Sequence, residues 1–167
     1  SRVWHFDGAV WEDFGVWGAG TSSDDLAIDS AGNVWATGTG GAAKRDAVTG
    51  VWQRYRVTNT SQYDLFNQDL ALDPATGDLY ACANAGPGAG GVTRFDGSRW
   101  TGWNAAEYGL GVSWPFPTDN CEAIAVRAAA GAVALNPMYN GIHQWNGVGW
   151  SDLAGMNESR GLVEDTA

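Results

Sequence analysis

Leu26-Ala27-Ile28-Asp29-Ser30-Ala31-Gly32-Asn33-Val34-Trp35-Ala36-Thr37 is a short alternating apolar run, a turn carrying Gly32, and a second apolar run. That pattern reads as a β-hairpin. It returns as Leu70-Ala71-Leu72-Asp73-Pro74-Ala75-Thr76-Gly77-Asp78-Leu79-Tyr80-Ala81, and again as Ile124-Ala125-Val126-Arg127-Ala128-Ala129-Ala130-Gly131-Ala132-Val133-Ala134-Leu135. A second hairpin pattern follows each copy. Val92-Thr93-Arg94-Phe95-Asp96-Gly97-Ser98-Arg99-Trp100 matches Ile142-His143-Gln144-Trp145-Asn146-Gly147-Val148-Gly149-Trp150, and also Val3-Trp4-His5-Phe6-Asp7-Gly8-Ala9-Val10-Trp11. A degenerate version runs from Ala42 to Trp52, with Thr49-Gly50 near its turn. Asp-Gly or Asn-Gly between apolar runs predicts a type I′ turn, whose two central residues both take positive φ.

Each full unit is therefore two hairpins, strands A to D. The units fall at residues 25–55, 69–103 and 123–153. Residues 2–14 read as strands C and D of a preceding unit, and 161–167 as strand A of a following one. Leu26 to Leu70 is 44 residues, Leu70 to Ile124 is 54, and Ile124 to Leu162 is 38. Four strands every 40–50 residues or so is the period of a β-propeller. The expected class is all-β: a propeller fragment of four-stranded antiparallel blades, three complete and partial at both ends. Three blades do not close a ring that usually takes about 4–8. Either the chain is an excerpt of a larger propeller, or several chains close one ring. The excerpt is preferred because the sequence stops inside a repeat, and open strand edges predict self-association of the isolated chain.

Asp29-Ser30-Ala31-Gly32-Asn33-Val34-Trp35-Ala36-Thr37, with Gly41, resembles the repeat of two-component-regulator propellers; streptogramin-lyase and NHL-type propellers carry similar repeats. Tyr80 replaces the Trp in the second blade, and Arg127 and Ala134 replace Asp and Trp in the third. The resemblance implies that strand A lines a central channel, and that the D–A and B–C loops share the face where ligands bind. The D–A loops would be 15–24, 56–68, 104–122 and 154–161, and the B–C loops 38–41, 83–91 and 136–140. It also implies that Cys82, at the end of a strand B, and Cys121, before the next strand A, lie at similar height on neighbouring blades. A Cys82–Cys121 disulfide is one reading of that placement, and two buried thiols the other.

The composition narrows the function. Lys and Arg total 9 against 19 Asp and Glu, a formal net charge of -10, and Lys44 is the single lysine. A nucleic-acid binder needs a cationic footprint, so that class is excluded. No apolar run approaches the roughly 18 residues of a membrane span. Leu, Ile, Val and Phe number thirty, few for a core, but ten Trp and 24 Gly supply buried area and turns. Gly86-Pro87-Gly88-Ala89-Gly90-Gly91 lacks the Gly-Lys-Ser/Thr ending of a phosphate loop. His5 and His143 are the two histidines, on strand C of different blades, too far apart for a metal site or a triad.

The long loop 104–122 holds Tyr108, Trp114, Phe116, Asp119 and Asn120. Aromatic rings stack on sugars, and amides and carboxylates hydrogen-bond to hydroxyls, so carbohydrate is the expected ligand class. Trp17, Tyr63 and Tyr139 occupy corresponding loops. All of these aromatics have a second use, pinning loops onto the blade tops. Trp11, Trp52, Trp100 and Trp150 in strand D, with Trp35 and Tyr80 in strand B, recur at fixed places and are assigned to packing between blades. Asp24, Asp25, Asp69 and Glu122 stand near the starts of strand A and form a candidate Ca²⁺ site, or else solvated turn caps. Asp29 and Asp73 are read as side-chain-to-backbone turn formers. The leading expectation is a non-catalytic binding or sensing module outside the cytoplasm, extracellular or periplasmic, for a small molecule or glycan. A lyase or glycan-active propeller with its catalytic residues in other blades, and a self-assembling structural repeat, are the alternatives.

Overall fold

The computed structural model describes residues 1–18, 22–56, 67–83, 91–103, 121–127, 132–137, 142–145 and 150–154. These carry fourteen strands and, among the described residues, no helix. They are β1 (Arg2–Phe6), β2 (Trp11–Val16), β3 (Asp25–Ile28), β4 (Val34–Gly38), β5 (Gly41–Arg45), β6 (Trp52–Tyr55) and β7 (Asn67–Leu72), then β8 (Leu79–Ala83), β9 (Gly91–Phe95), β10 (Trp100–Trp103), β11 (Cys121–Arg127), β12 (Ala132–Pro137), β13 (Ile142–Trp145) and β14 (Trp150–Ala154). β1 and β2 form a two-stranded sheet, and β3–β6, β7–β10 and β11–β14 form three four-stranded antiparallel meanders. The second and third meanders start at Asn67 and Cys121, two residues ahead of the expected 69 and 123. Residues 161–167 lie outside the described residues.

The registers confirm which positions are equivalent. Leu26 pairs with Ala36, Leu70 with Ala81 and Ile124 with Leu135. Trp35, Tyr80 and Ala134 stand opposite Ala27, Ala71 and Ala125. Phe6, Arg45, Phe95 and Trp145 stand opposite Trp11, Trp52, Trp100 and Trp150.

Aspartates head the turns. The Asp29 carboxylate accepts the N–H groups of Ala31 and Asn33, and Asp73 those of Ala75 and Thr76. Gly97 has the expected positive φ in a tight C–D turn, but that turn stands one residue later than a type I′ turn centred on Asp96-Gly97. Asp96 is the last pairing residue rather than a central one, its N–H donating to the Arg99 carbonyl at 3.2 Å. Gly97, at φ 91, takes the first central position. The reason is the side chain: Asp96 Oδ1 accepts the N–H of Ser98 at 2.9 Å and of Arg99 at 2.8 Å, closing the turn itself. Asp7 and Gly8 repeat this, with Gly8 at φ 100. Gly147 lies outside the described residues.

The core lies in seams between successive sheets. Val3 of the first sheet and Trp17, just past its second strand, pack on Val34, Ala36 and Ala43 of the next, with Phe14 and Trp52 alongside. The Trp52 indole N–H donates to the Phe14 carbonyl at 2.7 Å, and the Arg45 guanidinium sits 3.8 Å above the Phe14 ring. The second seam joins Trp35, Ala42 and Tyr55 to Leu70, Leu79, Ala81, Phe95 and Trp100. Its four larger rings meet in tilted, stacked and edge-on pairs, as aromatic quadrupoles favour. The third joins Tyr80, Cys82 and Val92 to Cys121, Ile124 and Val126. Trp35, Tyr80 and Trp100 thus pack between sheets. Trp11 departs from the expectation: it is 67% exposed, and among the described residues its ring contact is with Phe6 of its own sheet rather than with another sheet. The side chain of Trp150 lies outside what is described.

Candidate functional site

Strands β3, β7 and β11, the A strands, lie side by side, so their starts meet at one mouth. Two of the four acidic residues expected there come together. Asp25 Oδ1 accepts the Leu26 N–H at 2.8 Å, while its Oδ2 reaches across to the Leu70 N–H on the next sheet at 3.0 Å. Asp69 does the same one sheet further on. Its Oδ1 accepts the Leu70 N–H at 2.9 Å, and its Oδ2 accepts the Ile124 N–H, also at 2.9 Å. The pair is a relay of carboxylate staples joining three sheets.

This arrangement moves a proton affinity. Burial pushes the Asp69 carboxyl up, and hydrogen bonding to Asp25 and its charge push the same way, against the N–H groups of Ile124 and Leu70; the result is about 6. A carboxyl that is buried beside a second carboxylate holds its proton more tightly than one in water. Asp24 is exposed, and its backbone N–H donates to the Thr37 carbonyl at 2.9 Å. Glu122 is half-buried. Of the two readings of these four acids, a Ca²⁺ site or caps, Asp25 and Asp69 follow the second, directing their oxygens to backbone amides, and among the described residues no three His, Cys, Asp or Glu groups converge as a metal site requires.

Cys82 and Cys121 form a disulfide at the same mouth, with Cα atoms 5.2 Å apart. Both residues are buried, and the bridge ties β8 to β11 directly beside the Asp69 staple. Trp17 offers no face to a ligand. It is 2% exposed, and its indole N–H donates to Ser23 Oγ at 2.6 Å, so packing is its role. Around it the loop face carries hydroxyls that the sequence reading passed over. Ser22 Oγ and Thr39 Oγ1 are 2.6 Å apart and link the D–A loop to the B–C loop of one blade. Tyr63, Tyr108, Trp114, Phe116, Asp119, Asn120 and Tyr139 lie outside the described residues.

The opposite face is electrostatically different. Hydrogen bonds from the Ser98 hydroxyl and the Arg99 and Ser98 amides pull Asp96 down to about 2. Asp7 and Asp46 are lowered by the turn amides they accept. At Asp29 burial works upward, but Asn33, the Trp35 indole N–H and Lys44 outweigh it and the net shift is down. His5 stacks on Phe14 with centroids 5.2 Å apart, a packing contact.

One signal for the staples was present in the repeat: an Asp precedes the first apolar residue of strand A at 25 and 69, while Ala123 fills that place in the third blade. Reading the four acids as a cluster hid it.

No family model matches the chain, and no curated protein matches it. Solved structures do. Two structures of the extracellular domain of BT4673 from B. thetaiotaomicron, described in one as a one component system and in the other as a hybrid two component system, superpose with TM-scores of 0.63 and 0.59. Identities are 11% and 13%, and each match covers 89% of this chain. The chain spans 18% of the length of those chains. At such identity the likeness speaks for fold, and with three antiparallel meanders and a half-blade in succession it is the fold of a partial β-propeller of four-stranded blades.

Proposed function

We propose that this chain is part of a sensing propeller, outside the cytoplasm, that takes a small neutral glycan on its D–A and B–C loop face without turning it over. The likeness to the extracellular domain of the one component system BT4673 across 89% of the chain supports the reading. Three features agree with it. The Cys82–Cys121 bridge suits an oxidising compartment. The formal charge of -10 disfavours anionic ligands. The segment 104–120, with Tyr108, Trp114, Phe116, Asp119 and Asn120, enters β11 at Cys121, whose bridge and neighbouring staple hold that strand to the previous blade.

The experiment is a titration of the full chain with a panel of neutral oligosaccharides, read by tryptophan fluorescence and calorimetry, with the sugars analysed afterwards. The expected result is saturable binding to at least one sugar, weakened about tenfold or more in Trp114→Ala and Phe116→Ala, and no change in the sugars. No saturation at millimolar sugar would refute the glycan reading. Cleaved or unsaturated products would replace it with the enzymatic one.

A further inference from the structure

We infer that the seam between the β3–β6 and β7–β10 sheets is a binding site for an internal water molecule, held by the hydroxyls of Thr37 and Thr93 beside the Asp25 carboxylate. Buried side-chain oxygens and nitrogens without a hydrogen-bond partner are few in folded proteins, and each needs a reason. Among the described residues there are four: Thr37 Oγ1, Thr93 Oγ1, Trp100 Nε1 and Arg45 Nε. The first three fall in this one seam. Both sheets that form it are four-stranded meanders, so neither threonine owes its position to an open edge.

The registers turn the two threonines toward each other. On β4, Trp35 packs in the seam, and Thr37, two residues on, shares its face. Thr37 stands opposite Asp25 on one side and Ala42, another seam residue, on the other. On β9, Phe95 packs in the seam from the second sheet, and Thr93, two residues before it, shares that face opposite Ala81. Leu70, Ala81 and Thr93 form one row across β7, β8 and β9. The bond from the Leu70 N–H to Asp25 Oδ2 sets that row against the row of Asp25 and Thr37. Both threonines are 0% exposed, and neither hydroxyl bonds the other.

Water is the ligand this chemistry selects. A threonine hydroxyl donates once and accepts twice, and a carboxylate has about four lone-pair sites, of which Asp25 uses two on amides. A buried water makes about three bonds, the number that two hydroxyls and one carboxylate supply. Ca²⁺ takes six to eight oxygens or so, more than these groups offer. Ala42, Ala81 and Gly102, in the same two rows, are small and leave the room that a larger side chain would fill. The water would thus join the first two full blades beside the Asp25 staple, as the disulfide joins the next pair beside Asp69.

The test is a double-mutant cycle with Thr37→Val and Thr93→Val, read by urea unfolding of the full chain. Each single variant should lower the midpoint, because the water and the remaining hydroxyl lose a partner. The double variant should lower it by clearly less than the two shifts added. Water-to-protein cross-relaxation in NMR should show a long-lived water at the Thr37 and Thr93 methyl groups of the wild-type chain. Midpoints that rise in both single variants, strictly additive shifts, or no long-lived water at either methyl group would each overturn the inference. If a variant does not fold, the wild-type spectrum alone decides.

Discussion

The Asp25–Asp69 pair predicts that the fold loses stability as pH rises through about 6. Asp69 titrates near 6 when folded, against about 4 in an unfolded chain. The folded state therefore holds its proton more tightly. The associated stability is fully present below about pH 4 and disappears as the group ionises above 6. Two pKa units correspond to about 3 kcal/mol, an upper bound because Asp69 is partly exposed; a loss of about 1–2 kcal/mol between pH 5 and 8 is the expected size. The measurement is urea unfolding of the chain across that range. General repulsion in a chain of net charge -10 gives the same sign, so two variants separate the causes. Asp25→Asn keeps one acceptor oxygen but removes the neighbouring charge, and should flatten the slope. Asp24→Asn removes an equal charge from the adjacent exposed residue and should leave it. A wild-type stability that is flat or rising from pH 5 to 8, or equal slopes in the two variants, would refute the reasoning.

Thiol titration of the denatured, unreduced chain should find no free thiol, and reduction should lower stability by about 2–4 kcal/mol; two thiols would contradict the bridge. Gly38→Ala should cost about 1–3 kcal/mol in urea unfolding, because a Cβ there would stand 2.5 Å from the Ser22 carbonyl oxygen, a backbone atom that cannot swing aside. An unchanged midpoint would show that the loop yields. Asp29→Ala removes the acceptor for two turn amides, the Asn33 amide and the Trp35 indole, and should cost about 1–3 kcal/mol at pH 7. Its lowered pKa means that this stability is present above about pH 4 and is lost as acid protonates the folded carboxylate, so the gap between wild type and variant should narrow as pH falls below about 4.

The repeat was legible because its physics is local. An alternating run, an Asp-headed turn and a second run are specified within a dozen residues, and the three meanders follow from repetition. Seam aromatics were legible too, since a ring recurring once per blade has to meet the next blade. The staples were not, because each depends on an N–H of another sheet, 45 residues away for Asp25 and 55 for Asp69. The repeat sets Asp25 in register with Asp69 and leaves Asp24 out of it, but that register alone does not say that Asp24 stays exposed while Asp25 bridges two sheets. Trp17 fails as a ligand contact for the same kind of reason: a loop position alone does not tell whether a ring faces solvent or, as here, the seam beneath it. The two carboxylate populations then acquire opposite pH responses from one residue type. Asp7, Asp29, Asp46 and Asp96, which accept turn amides within their own hairpins, are pulled down, Asp96 to about 2. Asp69, which also accepts two amides, is buried at a mouth beside a second carboxylate, and that desolvation and like charge win. Acid thus loosens the turn face while alkali loosens the mouth, where the disulfide and the apolar contacts of Val92, Ile124 and Val126 hold the seam without depending on a proton.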